Sequence, residues 1–194
     1  MTATLSNSAS QRVDTTFVAD ETTAVITAGN LTVTTDNAIA DGTATNGVQA
    51  TVTDANGNPV SGQAVSFSAD NGATIAASGT TGADGTVSET LTNTAAGVSN
   101  VTATVNGSSQ RVDTTFVADD TTAEITAGNL TVTTDNAIAD GTATNAVQAT
   151  VTDANGNPVS GQAVSFSADN GATIAASGTT GADGTVSETL TNTA

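Results

Sequence analysis

Short stretches in which apolar and polar residues alternate recur along the chain, each closed by a cluster of Asn, Asp, Gly or Pro. Alternation at every second residue turns one face of a strand inward and the other to water, and breaker clusters mark the turns between strands. Leu31 and Val33 open a first strand, and Val48, Ala50 and Val52 alternate with Gln49, Thr51 and Thr53 in a second. The turn Asp54-Ala-Asn-Gly-Asn-Pro59 follows, built from residues that tolerate positive φ or preset it. Ala64 or Val65, then Phe67 and Ala69, mark a third strand, and Ile75 and Ala77 a fourth. Gly82-Ala-Asp-Gly85 turns the chain into a fifth strand with Val87 and Leu91. Val101, Ala103 and Val105 lie on a sixth, and Val112, Thr114 and Phe116 share one face of a seventh. Seven such strands in roughly 90 residues predict an all-β, immunoglobulin-like sandwich.

The pattern is written twice. Gln11–Ala95 recurs as Gln110–Ala194 at an offset of 99 residues, with only Glu21/Asp120, Val25/Glu124 and Gly47/Ala146 differing. A period of that length is one domain, so the 194 residues predict tandem modules of about seven strands each in a rod-like array.

Composition narrows the chemistry. There is no Cys, His, Trp, Tyr or Lys, and two Arg face 19 Asp and Glu for a formal charge of −17. Without His or Cys, a Ser–His–Asp triad, a Cys nucleophile and an ordinary zinc site are excluded. So acidic a surface repels nucleic-acid phosphate and anionic lipid. Only 11% of residues are charged and strand-forming Thr and Val abound, which argues against disorder. No apolar run is long enough to span a bilayer, and the Met1-Thr-Ala-Thr start lacks the regions of a secretory signal.

Several motifs are specific enough to carry a family resemblance. Leu31-Thr-Val-Thr-Thr-Asp-Asn-Ala, Ala40-Asp-Gly, Val48-Gln-Ala-Thr-Val-Thr-Asp-Ala-Asn-Gly-Asn-Pro-Val60 and Gly62-Gln-Ala-Val-Ser-Phe67 resemble the group 1 bacterial immunoglobulin-like domain, the repeat module of the intimin and invasin adhesins. Thr81-Gly-Ala-Asp-Gly-Thr-Val87, Ala96-Gly-Val-Ser-Asn-Val-Thr-Ala-Thr-Val105 and Val112-Asp-Thr-Thr-Phe116 fit the same family. The resemblance implies surface modules strung outward from an outer-membrane β-barrel absent from this chain, spacing an adhesive tip from the cell.

In the phase of that family, residues 20–118 are a complete module. Residues 1–19 are then the sixth and seventh strands of a preceding module, and residues 119–194 a module lacking its last two strands. The missing strands would bury four apolar side chains at ~1.5–3 kcal/mol each. That loss of roughly 6–12 kcal/mol compares with a whole-domain stability of about 5–15 kcal/mol. Ala3, Leu5, Val13 and Phe17 are therefore candidates to complete the second module of another copy by strand addition, giving head-to-tail filaments or rings; the even alternative is that the ends are an incidental cut through a longer array.

Candidate chemistry is sparse. Asp54-Ala-Asn56-Gly-Asn58 imitates the start of a calcium loop, but Val65 stands where a bidentate Glu belongs, and turn chemistry accounts for the segment. Asp119, Asp120 and Glu124, matched by Asp20 and Glu21, crowd a module boundary and are the calcium candidates, but solvated linker charge is the favoured account of them. Asx turns account for Asp36, Asp41 and Asp84, and no carboxylate pair reads as catalytic. The expectation is a non-enzymatic stalk segment without a cofactor, whose partners are neighbouring modules. A face that binds a host protein or glycan is the second reading, disfavoured by two Arg and no Tyr or Trp as anchors.

Overall fold

In the computed structural model, which describes residues 1–194, the alternating stretches form strands, and helix is confined to two single 3₁₀ turns, Glu21–Thr23 and Asp120–Thr122. A hairpin of β1 (Thr2–Thr4) and β2 (Ser10–Arg12) opens the chain. The first copy contributes β3 (Leu31–Thr35), β4 (Ala38–Ile39), β5 (Asn46–Thr51), β6 (Ala64–Ala69), β7 (Thr74–Ile75), β8 (Ser78–Thr80), β9 (Thr86–Thr92), β10 (Gly97–Val105) and β11 (Ser108–Val117). The second contributes β12 (Leu130–Thr134), β13 (Asn145–Thr150), β14 (Ala163–Ser165), β15 (Thr173–Ile174), β16 (Ser177–Thr179) and β17 (Thr185–Thr191).

Two sheets face each other in the first copy, ordered β3-β5-β9-β7 and β4-β11-β10-β6-β8. Sixteen buried apolar residues form the core between them, among them Val48, Ala50, Val65, Phe67, Val101 and Phe116 from the strands and Ala24, Ile26, Ala40, Val52 and Val60 from the segments that flank them. Val65 rather than Ala64 points inward on β6, because Val65 is buried and Ala64 exposed. The all-β, immunoglobulin-like sandwich expected from the alternation is the fold observed.

Two details depart from the sequence reading. The expected fourth strand through Ile75 and Ala77 is two strands in different sheets: β7 pairs with β9 and β8 with β6. The crossing is tight at Gly79, where a Cβ would lie 2.6 Å from side-chain atoms of Val87 and Glu89. The second departure is β4, whose two residues are too few to show alternation. It runs parallel to the end of β11, with Ala38 beside Phe116 and Ile39 beside Val117.

The second copy repeats one sheet, β12-β13-β17-β15, but only β14 and β16 of the other. Its buried apolar cluster falls to five residues, and side chains interior to the first copy lie open. Leu31 is 5% exposed and its duplicate Leu130 60%; Ile26 is 1% exposed and Ile125 46%. In the first copy the hairpin β10–β11 lies over the corresponding positions.

Candidate functional site: the joint between modules

The acidic turns are built to hold an anion. Gly156, at φ +85°, lets the Asp153–Pro158 loop close, with the Asp153 N–H donating to the Asn157 carbonyl at 2.9 Å. The Asp153 carboxylate, nearly fully buried, accepts from the N–H groups of Asn155 (2.9 Å), Asn157 (2.8 Å) and Asp119 (3.1 Å), and from the Asn157 side-chain amide (2.9 Å). Burial pushes the Asp153 carboxyl up, but these donors outweigh it, led by the Asn157 amide, and hold it below the ordinary value. Asp54 repeats the arrangement in the first copy and is lowered to about 2, chiefly by the Asn58 side chain. A calcium loop points oxygens inward; this turn points N–H groups inward.

The same bonds set the linker. Only Ala118 separates the end of β11 from Asp119, whose N–H is tied to Asp153. The Asp119 carboxylate caps the following 3₁₀ turn, accepting from the Thr121 N–H at 3.0 Å and its hydroxyl at 2.6 Å. Asp20 does the same for Thr22, at 3.0 and 2.6 Å, and these bonds, the hydroxyl's first, lower its pKa. Glu21 and Asp120 lie exposed in the 3₁₀ turns, and Glu124 is held by its backbone against Thr152 rather than by its carboxylate. Asp119, Asp120 and Glu124 therefore share a boundary without their carboxylates converging, and no cluster of three or more acidic side chains is arranged around a common point.

Across the boundary the loop grips the first module. Asn157 donates its side-chain N–H to the Thr94 carbonyl (3.0 Å) and accepts from the Ala96 N–H (2.8 Å), while the Asn155 amide donates to the Ala40 carbonyl (2.9 Å). Thr94 and Ala96 lie between β9 and β10, and Ala40 follows β4. The amide donates from its nitrogen and accepts at its oxygen at once; Asp would lose the donor. Asn157 is buried at 8% exposure, whereas its duplicate Asn58 is exposed and its side chain bonds only to Asp54, within its own turn. Sequence reasoning took the Asn residues as turn formers; the signal it missed is that closing the turn leaves side-chain amides to spare.

Polar groups on the open face of the second copy also differ from those of the first. In the first, Asn46 is fully buried, donating to the Thr115 carbonyl (2.8 Å) and accepting from the Ala38 N–H (2.9 Å). Asp36 accepts from the Thr115 N–H (2.7 Å) and the Thr114 hydroxyl (2.8 Å), and is lowered chiefly by the former. In the second, Asn145 keeps only the bond from Ala137 and Asp135 only that from Asn136. The complementation candidates stand at the other end of the chain, with Ala3 exposed, Leu5 66%, Val13 63% and Phe17 95% exposed.

Comparisons agree with this architecture. The model of the bacterial Ig-like domain (group 1) matches residues 28–117 and 127–194. The inverse autotransporter adhesin YeeJ of Escherichia coli (strain K12) is 36% identical over 179 residues, which are 86% of this chain and 7% of YeeJ. The solved structure of InvD from Yersinia pseudotuberculosis, 23% identical, matches 90% of this chain and 50% of its own with a TM-score of 0.64. The D0-D1 domain of intimin, 28% identical, matches 88% of this chain and 86% of its own with a TM-score of 0.46. The chain belongs to the group 1 bacterial Ig-like domain family, the adhesin modules of the intimin and invasin kind that its motifs resemble.

Proposed function

We propose that this chain is a length of adhesin stalk. Its modules are held end to end so that a distal adhesive domain stands away from the bacterial surface, the whole being anchored through an outer-membrane barrel outside these residues. The supporting observation is the joint: a one-residue linker, with three side-chain hydrogen bonds from Asn155 and Asn157 to main-chain groups of the preceding module. Bonds on two sides of the linker resist bending in more than one direction, which is what a spacer requires and a tethered binding domain does not. The absence of Tyr and Trp deprives the surface of the usual binding anchors.

Small-angle scattering on the monomeric fraction tests the reading. A stalk gives one narrow distribution of inter-module distances, broadened when Asn155 and Asn157 are both replaced by Ala. Freely jointed modules in the unaltered chain would overturn it.

A further inference from the structure

We propose that Asn93 is the positioning residue of the joint, the side chain that holds two loops of the first module in the arrangement that Asn155 and Asn157 bind. This role rests on the stalk reading: the receiving surface is main chain, and its course must be set by the first module's own side chains.

The first loop, residues 94–96, joins β9 to β10, and Asn93 immediately before it is 4% exposed. The Asn93 side-chain oxygen accepts from the Ala95 N–H at 3.0 Å, an Asx turn that reaches two residues along the chain. The Ala95 N–H and the Thr94 carbonyl belong to one trans peptide unit and point in opposite directions. Drawing that N–H in toward Asn93 therefore turns the Thr94 carbonyl out, where the Asn157 amide donates to it at 3.0 Å. The Ala96 N–H, next along the chain, is left for the Asn157 oxygen at 2.8 Å.

The second loop carries Ala40, whose carbonyl receives Asn155. Here Asn93 acts through its main chain, its carbonyl accepting from the Gly42 N–H at 2.9 Å. The two loops meet closely at that point: a Cβ on Gly42, which stands at φ +80°, would lie 3.1 Å from the Thr94 methyl carbon. Ala40 is fixed from its other side by its own N–H, which donates to the Val117 carbonyl at 2.8 Å. One residue thus ties together the separate parts of the surface that the next module grips.

Asn93 is in turn anchored to the body of the module. Its amide nitrogen donates to the Asn71 carbonyl at 3.0 Å and to the hydroxyl of the fully buried Ser99 at 3.3 Å. Asn71 stands at φ +56° in the turn ahead of β7. Both ends of the amide are therefore used, and a side chain without an acceptor leaves the Ala95 N–H unpaired and the peptide free to turn over. The arrangement belongs to the repeat. Asn192 donates to the Asn170 carbonyl at 3.0 Å, accepts from the Ala194 N–H at 3.0 Å, and takes the Gly141 N–H on its carbonyl at 2.9 Å.

Pulsed electron spin resonance on the monomeric full chain tests this, with labels at Thr90→Cys and Thr189→Cys, exposed sites on β9 and β17 of a protein with no other cysteine. The otherwise unaltered chain should give one narrow peak of inter-module distance. Asn93→Ala should lose that peak to a broad distribution while the Val48 and Val101 amides, deep in the core, stay protected from exchange and report a folded first module. Asn93→Ser, whose hydroxyl still accepts from the N–H two residues on, should give a width between the two, and keeps the test decisive if Asn93→Ala unfolds. Thr81→Ala controls for destabilisation alone. Thr81 is also 4% exposed, but it is bonded to Val60 and Gln63 beside the turn at the module's other end, so its loss should leave the peak narrow. An unaltered peak in both Asn93 variants, or equal broadening by Thr81→Ala, would overturn the role of Asn93 and leave the stalk reading standing. A broad distribution in the otherwise unaltered chain would overturn both.

Discussion

Asn157 and Asn58 are the same residue in the same turn, and only one of them meets another module, so they form a matched pair. Replacing either with Ala removes its 2.9 Å bond to the turn aspartate. Asn157→Ala also removes the bonds to Thr94 and Ala96. At about 0.5–1.5 kcal/mol net per bond, those two are worth about 1–3 kcal/mol of coupling between the modules. The Ala96 N–H reports the loss directly, because its acceptor is the Asn157 side chain. Native-state hydrogen exchange at Ala96 should quicken roughly 5- to 150-fold in Asn157→Ala, the range equivalent to that energy. Asn58→Ala should leave it unchanged. Continued protection of the Val151 and Val159 amides would show that the second module remains folded. Equal Ala96 protection in both variants would refute the assignment of Asn157 to the joint.

Phe116→Ala should lower the unfolding free energy of the first module by about 3–5 kcal/mol in urea titration, and Phe17→Ala should leave that module unaltered; equal effects would contradict the packing described. Asp54 has a folded pKa of about 2 against an ordinary 3.8, so its contribution is fully present above the unfolded value and is lost as pH falls from about 4 to about 2. Thermal melts across that window should show the loss, and Asp54→Asn should make it smaller, the lowered Asp20, Asp36, Asp41 and Asp84 supplying what remains. Millimolar calcium and a chelator should give the same melting temperature, because Asp119 and Asp153 already hold N–H donors; a rise of several degrees with calcium would mean that Asp119, Asp120 and Glu124 gather around the ion.

Much of the sandwich was legible because strands half-buried on one face impose a period of two, and the 99-residue offset doubled every signal. What escaped lacked a period. β4 has two residues and exists only because β11 lies beside it. The crossing between β7 and β8 looks like continuous strand until the missing Cβ of Gly79 is set against Val87. Asn46 is a polar residue at the centre of a core, placed by partners 8 and 69 residues away. The joint was hidden for a stronger reason. Asn58 and Asn157 have the same local sequence and opposite burial, so no reading of the turn alone separates them.

The receiving side of the joint consists of main-chain atoms, the carbonyls of Ala40 and Thr94 and the N–H of Ala96. Every residue except proline offers the same N–H, and every residue offers the carbonyl. The recognising side chains are all on the module that follows. A module can therefore exchange its loop side chains freely and still seat its neighbour, provided the backbone keeps its course. Whole repeats can be inserted, removed or recombined with each new boundary chemically the same as the old. Length in such an array is adjustable in integral units, with no co-adaptation of one module's surface to the next.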